Sequence, residues 1–269
     1  MDNLAAGGEL SKRDLFRLYL IADPTQNPGQ PLYRCVKMAI QFGGNEMKSV
    51  PALAGWSYQP SDSPTGMDEQ GQVFGIPHSL FENIADSDGN ALDQVNAYMV
   101  YNAFIDFHAF CDVFARPTAA GNGVQDLTQI GDKIIHAAAN TEPPVHLGAI
   151  KEGSTFKNGE VTMQFKGLSL VNDRECALLA YDSGASSFHM IMEPMPSTTV
   201  DTRGSSHYFG DIYLDLDSFW VQHLTMVEFV VSESTVAPME MKIGGIVERQ
   251  LTVRNVDAGT FEAESNLSN

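Results

Sequence analysis

The segment Asp86-Ser87-Asp88-Gly89-Asn90 places oxygen donors at alternate positions, with Asp93 close behind. Hard divalent cations take carboxylate and amide oxygens, so Asp86, Asp88, Asn90 and Asp93 are the candidate metal ligands and calcium the candidate cofactor. The spacing matches an EF-hand only in part. Counted from Asp86, the glycine stands at position four instead of six and position twelve is Ala97 instead of glutamate. Asp, Asn and Gly are also the residues of tight turns, so a surface turn is the commoner explanation of the segment.

Other acidic sets invite the same scrutiny. Asp106, His108 and Asp112 share one parity within residues 95–113, as a metal or acid–base set would, and as polar residues on a wet strand face would. Asp211, Asp215 and Asp217 alternate along another stretch, and with Glu228 they contain the carboxylates a glycosidase-type hydrolase would need. Their place on a single strand favours a solvated face. The 7 histidines stand singly with no His-x-His pair, against a cupin-type metal site. Gly184-Ala185-Ser186-Ser187-Phe188 lacks the final glycine of a nucleophile elbow, and Gly121-Asn122-Gly123 lacks the third glycine of a dinucleotide loop. The expectation is a protein without catalytic machinery.

The elements that would carry these residues are mostly strands. From Asp211 to Asp217 the chain alternates, with Ile212, Leu214 and Leu216 on one face and Asp211, Tyr213, Asp215 and Asp217 on the other. A turn near Ser218-Phe219 leads into HLTMVEFVVSE, which is dense in β-branched and aromatic residues. LYRCVKMAIQF over 32–42 is a further strand. Every odd position from Val95 to Val113 is apolar, which predicts one long bent strand or two strands meeting at a kink. After residue 144, VHLGAI, EVTMQF behind a Lys157-Asn158-Gly159-Glu160 hairpin turn, CALLAY, FHMIME, HYFGDIYLDLD, HLTMVEFVVSE, MEMKIGG and VERQLTVRNV give the strand count of a jelly roll.

Three helices are expected. Ser11 would cap one within an amphipathic N-terminal segment spanning 1–25, with Lys12, Arg13 and Arg17 on its basic side. A short one would start at Ser79 with Glu82 as capping partner. The third covers 127–139 with Leu127, Ile130, Ile134, Ile135 and Ala138 on one stripe, ended by Pro143-Pro144. The domain reading is therefore an N-terminal helix over 1–25, a β-domain over 26–140 with the connecting helix 127–139, and a second β-domain over 141–269.

Lys and Arg number 16 against 34 Asp and Glu, a net charge of -18, which opposes direct nucleic-acid binding. Crowded carboxylates suit cation binding between subunits. The 3 cysteines, Cys35, Cys111 and Cys176, are odd in number and set among apolar residues, as free core thiols are. The N-terminus lacks a basic region followed by an apolar one, and no apolar run approaches membrane-span length, so neither a secretory leader nor a span is expected. Trp56 and Trp220 would be sugar-stacking platforms in a lectin-like domain, or core residues.

Two β-rich halves of jelly-roll size, a basic N-terminal helix, a helix with a Pro143-Pro144 stop between the halves and an acidic chain without catalytic motifs together resemble the double jelly-roll major capsid proteins of tailless icosahedral bacteriophages with an internal membrane. The length and the run MDNLAAGGELSKRDLF are most similar to the marine corticovirus type. The resemblance implies an all-β fold of two consecutive jelly-roll barrels and no catalysis. It implies a homotrimer whose upright barrels make pseudo-hexagonal tiles of the virion shell, in contact with neighbouring capsomers and other capsid proteins. The N-terminal helix would then point inward, with Lys12, Arg13 and Arg17 facing the headgroups of the internal membrane. A carbohydrate- or receptor-binding β-sandwich is the alternative.

Overall fold

A computed structural model describes residues 1–5, 8–23, 32–60, 75–119, 121–143, 145, 150–195 and 197–266. The chain is predominantly β and antiparallel, as the alternating patterns predict. Its strands are β1 (Asp2–Leu4), β2 (Leu10–Asp23), β3 (Leu32–Phe42), β4 (Lys48–Ser49), β5 (Ser57–Tyr58), β6 (Lys133–Ile135), β7 (Thr155–Lys157), β8 (Thr162–Val171), β9 (Arg174–Asp182), β10 (Ser186–Met195), β11 (Thr198–Asp215), β12 (Val221–Ala237) and β13 (Met241–Arg254). The α-helices are α1 (Gln94–His108) and α2 (Ala258–Asn266). The chain divides into two compact units. Unit 1 comprises Met1–Ser11, Ala109–Pro143 and Glu152–Val256; unit 2 comprises Lys12–His108, Pro144–Lys151 and Asp257–Asn269. Both are discontinuous in sequence, so a boundary at 140 does not describe them.

Unit 1 is built on the β11–β12 hairpin, whose pairing runs from Thr199↔Ala237 to Leu214↔Val221. β13 adds to β12, β1 to β13, and β9, β8 and β6 follow on the other side of β11. The upper half of β11 also pairs with β10, which pairs with β7. Asn158-Gly159 therefore does not close a hairpin between β7 and β8. Even-numbered residues of β11 and β12 (Tyr208, Ile212, Leu214, Leu224, Met226) face inward and are buried, together with Met163, Leu179 and Tyr181. Phe110 and Phe114 pack on this face, against Tyr181 (5.1 and 6.0 Å) and Tyr208 (5.8 and 6.3 Å between ring centroids). Two glycines make room for rings from adjacent strands. A Cβ on Gly204 would lie 2.4 Å from the Phe188 ring, and one on Gly210 would lie 1.9 Å from the Thr225 carbonyl and 2.9 Å from the Tyr181 hydroxyl.

In unit 2, β2 (residues 12–23) pairs with β3, which also carries β4 and β5. Its core is aromatic: Trp56 stacks on Tyr58 at 4.4 Å, and Phe81, Tyr101 and Phe104 close around them edge to face. α2 docks through Phe261 on Tyr19 and through the Ser265 carbonyl on the Lys37 ammonium.

Four predicted elements have a different form. The 1–25 helix is strand: Asp14, Phe16 and Leu18 turn to one face, Arg13, Leu15 and Arg17 to the other, and the backbone is satisfied by β3 instead of by itself. The 95–113 strand is α1 followed by a π-helical turn over Ala109–Val113. Even positions Val100, Phe104 and Phe110 are apolar as well as the odd ones, and the buried set Ala97, Val100, Tyr101, Phe104 and His108 has helical spacing. Asp93 caps this helix by accepting the Asn96 N–H at 2.8 Å. The 127–139 helix is a 3-10 turn over Val124–Asp126, a turn and the short β6. There the Asp132 carboxylate accepts the N–H groups of Thr128 and Gln129, and Gly131 takes a positive φ of 97°. That local hydrogen bonding competes with a helix. Pro144 lies outside the described residues. The helix expected from Ser79 is a 3-10 turn over His78–Leu80 without a side-chain cap.

Candidate functional site

The Asp86 loop is a closed turn. Asp86 Oδ1 accepts the N–H groups of Asp88 and Asn90 (2.9 and 3.0 Å), and Oδ2 accepts the Asn90 amide at 3.1 Å. The Lys48 ammonium then bridges Asp86 at 3.3 Å and Asp88 at 2.6 Å. Burial works to raise the Asp86 carboxyl, but the Asn90 and Asp88 donors and Lys48 outweigh it and hold the group at about 2. Asp93 is engaged at the α1 N-terminus. The candidate calcium ligands are thus committed to an Asx turn, an ammonium and a helix cap. Among the described residues no group of three or more His, Cys, Asp or Glu gathers to hold a metal ion.

The other candidates also disperse. His108 is fully buried and hydrogen-bonds the Tyr58 hydroxyl at 3.0 Å, while Asp112 pairs with Arg116 at 3.7 Å. Asp215 is buried at the end of β11, where it accepts the N–H groups of Asp217 and Ser218 and pairs with Arg174. Burial pushes its carboxyl up, and those N–H donors and Arg174 bring it below the ordinary range. It is a turn-forming group. Lys12 shares a face with Asp14, 3.0 Å away, and lies over the Phe42 ring; Arg13 and Arg17 are on the opposite face of β2. The three do not form one basic side. Trp56 belongs to the unit 2 aromatic core and Trp220 stacks under Arg116, so neither forms a platform on a sheet. Cys35, Cys111 and Cys176 are free and buried, and burial raises each thiol.

What the fold does assemble lies on the outward face of the unit 1 sheet. The register places His207 opposite Phe229, Phe209 opposite Val227, and Ser205 opposite Val231, which is itself opposite Ile246. Phe209, Phe229 and Val231 are 37%, 44% and 58% exposed, an apolar island in the middle of a strand face where solvent would select polar side chains. The two phenyl rings lie 6.4 Å apart with a tilt of 33°, and the His207 ring is 5.4 Å from Phe209. Polar pairs rim the island: His207 hydrogen-bonds Asp182 at 3.0 Å and His189 hydrogen-bonds Asp201 at 3.0 Å, while Arg203–Asp201 at 3.5 Å and Lys242–Glu233 at 2.7 Å are ion pairs. Burial acts to raise Asp182, but the Gly184 N–H and His207 hold it below its ordinary value; His189 does the same for Asp201.

The inward face has its own polar seam directly behind the island. Ser206 Oγ donates to Glu228 Oε1, and Arg249 Nη1 donates to Glu228 Oε2. Ser206 and Glu228 are buried. Tyr208, opposite Glu228 in the register, donates its hydroxyl to Asn158 Oδ1 at 3.0 Å. A satisfied buried network of this kind fixes strand register, because a one-residue slip would leave Glu228 without partners.

Compared with known proteins, the chain matches no family model, no curated protein and no solved structure. The outward island went unseen in the sequence because Asp211 to Asp217 reads as one wet face and one dry face, while HLTMVEFVVSE reads only as a strand dense in β-branched and aromatic residues. The signal is present. Phe209 has the parity of Asp211 and Tyr213, and Phe229 and Val231 have that of Thr225, so apolar residues occupy both faces of both strands.

Proposed function

We propose that the protein is a structural subunit that associates with copies of itself, without catalysis, and that it serves as a major capsid protein of a tailless icosahedral bacteriophage with an internal membrane. The observation that carries self-association is the apolar island at Phe209, Phe229 and Val231 within a rim of polar and charged pairs, the anatomy of a protein interface. Long antiparallel strands and net acidity are consistent with a shell component. In the capsid reading the chain forms a homotrimer, packs against neighbouring capsomers and other capsid proteins in the virion, and leaves the genome untouched. Contact with anionic lipid rests on Arg13 and Arg17, which share the exposed face of β2 with Leu15. Calcium belongs to this proposal only as an ion between subunits. The double jelly-roll layout is its finest part: it needs eight strands in each half, and unit 2 has four among the described residues.

Light scattering coupled to chromatography tests the reading. A stable particle near three times the 29.3 kDa chain is expected; a monomer at micromolar concentration sinks self-association, and with it the capsid assignment. One observation favours a second reading, a glycan-binding β-sandwich: two exposed rings side by side on one sheet face, next to His207, Asp182 and Asp211. A glycan array distinguishes it, since signal that disappears with Phe229→Ala would support sugar stacking and a blank array would reject it.

A further inference from the structure

We propose that His136 is an acid-operated latch: protonation of its imidazole releases the turn over residues 136–141 from the inner face of the unit 1 sheet. The ring is 2% exposed. Its Nδ1 accepts the Ala138 N–H at 3.1 Å, which puts the single proton of the neutral ring on Nε2. Nε2 is the one buried side-chain nitrogen or oxygen among the described residues with no hydrogen-bond partner. The ring stands edge-on to Phe114 at 5.1 Å, and Phe114 itself lies against Tyr181 and Tyr208 of the sheet. A second proton has nowhere to go. It would set an N–H donor at Nδ1 against the Ala138 N–H and bury an unpaired cation among aromatic rings.

This residue sits among the backbone bonds that tie the turn down. Its backbone N–H donates to the Val161 carbonyl, its own carbonyl accepts the Ala139 N–H, Ala137 donates to Asn122 and Asn140 to Gly159. Among the described residues no charge compensates from the elements around it. Asp112 and Arg116, on the segment that bears Phe114, pair with each other, and Glu160 before β8 is exposed. The Tyr181 and Tyr208 hydroxyls donate to Thr225 and Asn158. On the turn before β6, Asp132 accepts from Thr128 and Gln129, and Lys133 is exposed. Burial alone therefore acts on the imidazole, and it lowers its pKa from 6.5 to about 4. The sign follows. A histidine depressed in the fold contributes its full stability above 6.5 and loses it as pH falls toward about 4. Within that window the open population rises about tenfold per pH unit.

Amide exchange read by mass spectrometry on peptides covering 133–143, corrected for the intrinsic pH dependence, tests the latch. The native chain is expected to lose protection there by about tenfold per unit below 6.5. His136→Asn, which keeps an acceptor for Ala138 but cannot be protonated, is expected to hold its protection. Equal acid opening in both chains overturns the proposal. A measurement on the native chain stands if that variant does not fold: imidazole nitrogen NMR should show the proton on Nε2 and titration well below the ordinary value. A proton on Nδ1, or titration near 6.5, overturns it as well.

Discussion

Glu228 shows how one residue can be misread from type and spacing. Set beside Asp215 and Asp217 it has the composition of a carboxylate pair, yet its oxygens are occupied by Ser206 and Arg249 across three neighbouring strands. Its work is to specify register. Glu228→Ala leaves Arg249 without its buried acceptor and Ser206 without a partner, and should lower unfolding stability by about 3 kcal/mol in chemical denaturation. Replacing Glu228 and Arg249 together by methionine should recover most of that loss, because neither charged group then remains in the seam. A double variant as unstable as the single one would show that the seam is not an isolated pair. The Asp86 carboxylate, at about 2, follows the same sign as His136 in a more acidic window: its contribution is full above the ordinary carboxylate pKa and fades as pH drops toward about 2.

At the scale of elements, legibility depended on whether the local pattern admitted one period. LYRCVKMAIQF became β3 with its expected ends, and the β11–β12 hairpin with its turn near Phe219 was readable because β-branched residues alternate over long stretches. α1 was hidden because residues 95–113 are apolar at both parities, so a period of two and one of 3.6 fit the same letters. Asp93, considered as a calcium ligand, was the helix signal: a capping residue ahead of an apolar periodic run. Asp93→Ala should cost about 1 kcal/mol through loss of the cap, read as a lowered melting temperature. No change would argue that the Asn96 N–H finds another acceptor. β2 shows the reverse error, since a plausible cap at Ser11 carries less weight than a neighbouring strand ready to pair along the whole run.

For the whole molecule, the proposal turns on a face and not on a pocket. Phe209→Ser with Phe229→Ser changes only exposed side chains, so the fold should lose no more than about 0.5 kcal/mol per site. The assembled species should fall to monomer in sedimentation. A double variant that still forms the native oligomer moves the interface elsewhere and withdraws the island from the argument. Charge sets the background: with a net -18, two copies approach against repulsion, and an uncharged island offers contact without adding to it.

The sequence by itself determined the β class, the β3 strand, the long hairpin and the buried free cysteines, because alternation and side-chain volume act locally and leave a readable period. Tertiary structure alone decided the rest. Whether Lys12 and Arg17 share a side depends on whether residues 10–23 pair with β3 or coil on themselves. Whether Asp86 and Asp88 hold a cation depends on Lys48, distant in sequence, arriving between them. The island and the His136 latch are likewise products of register and burial, which bring together residues that no spacing along the chain connects.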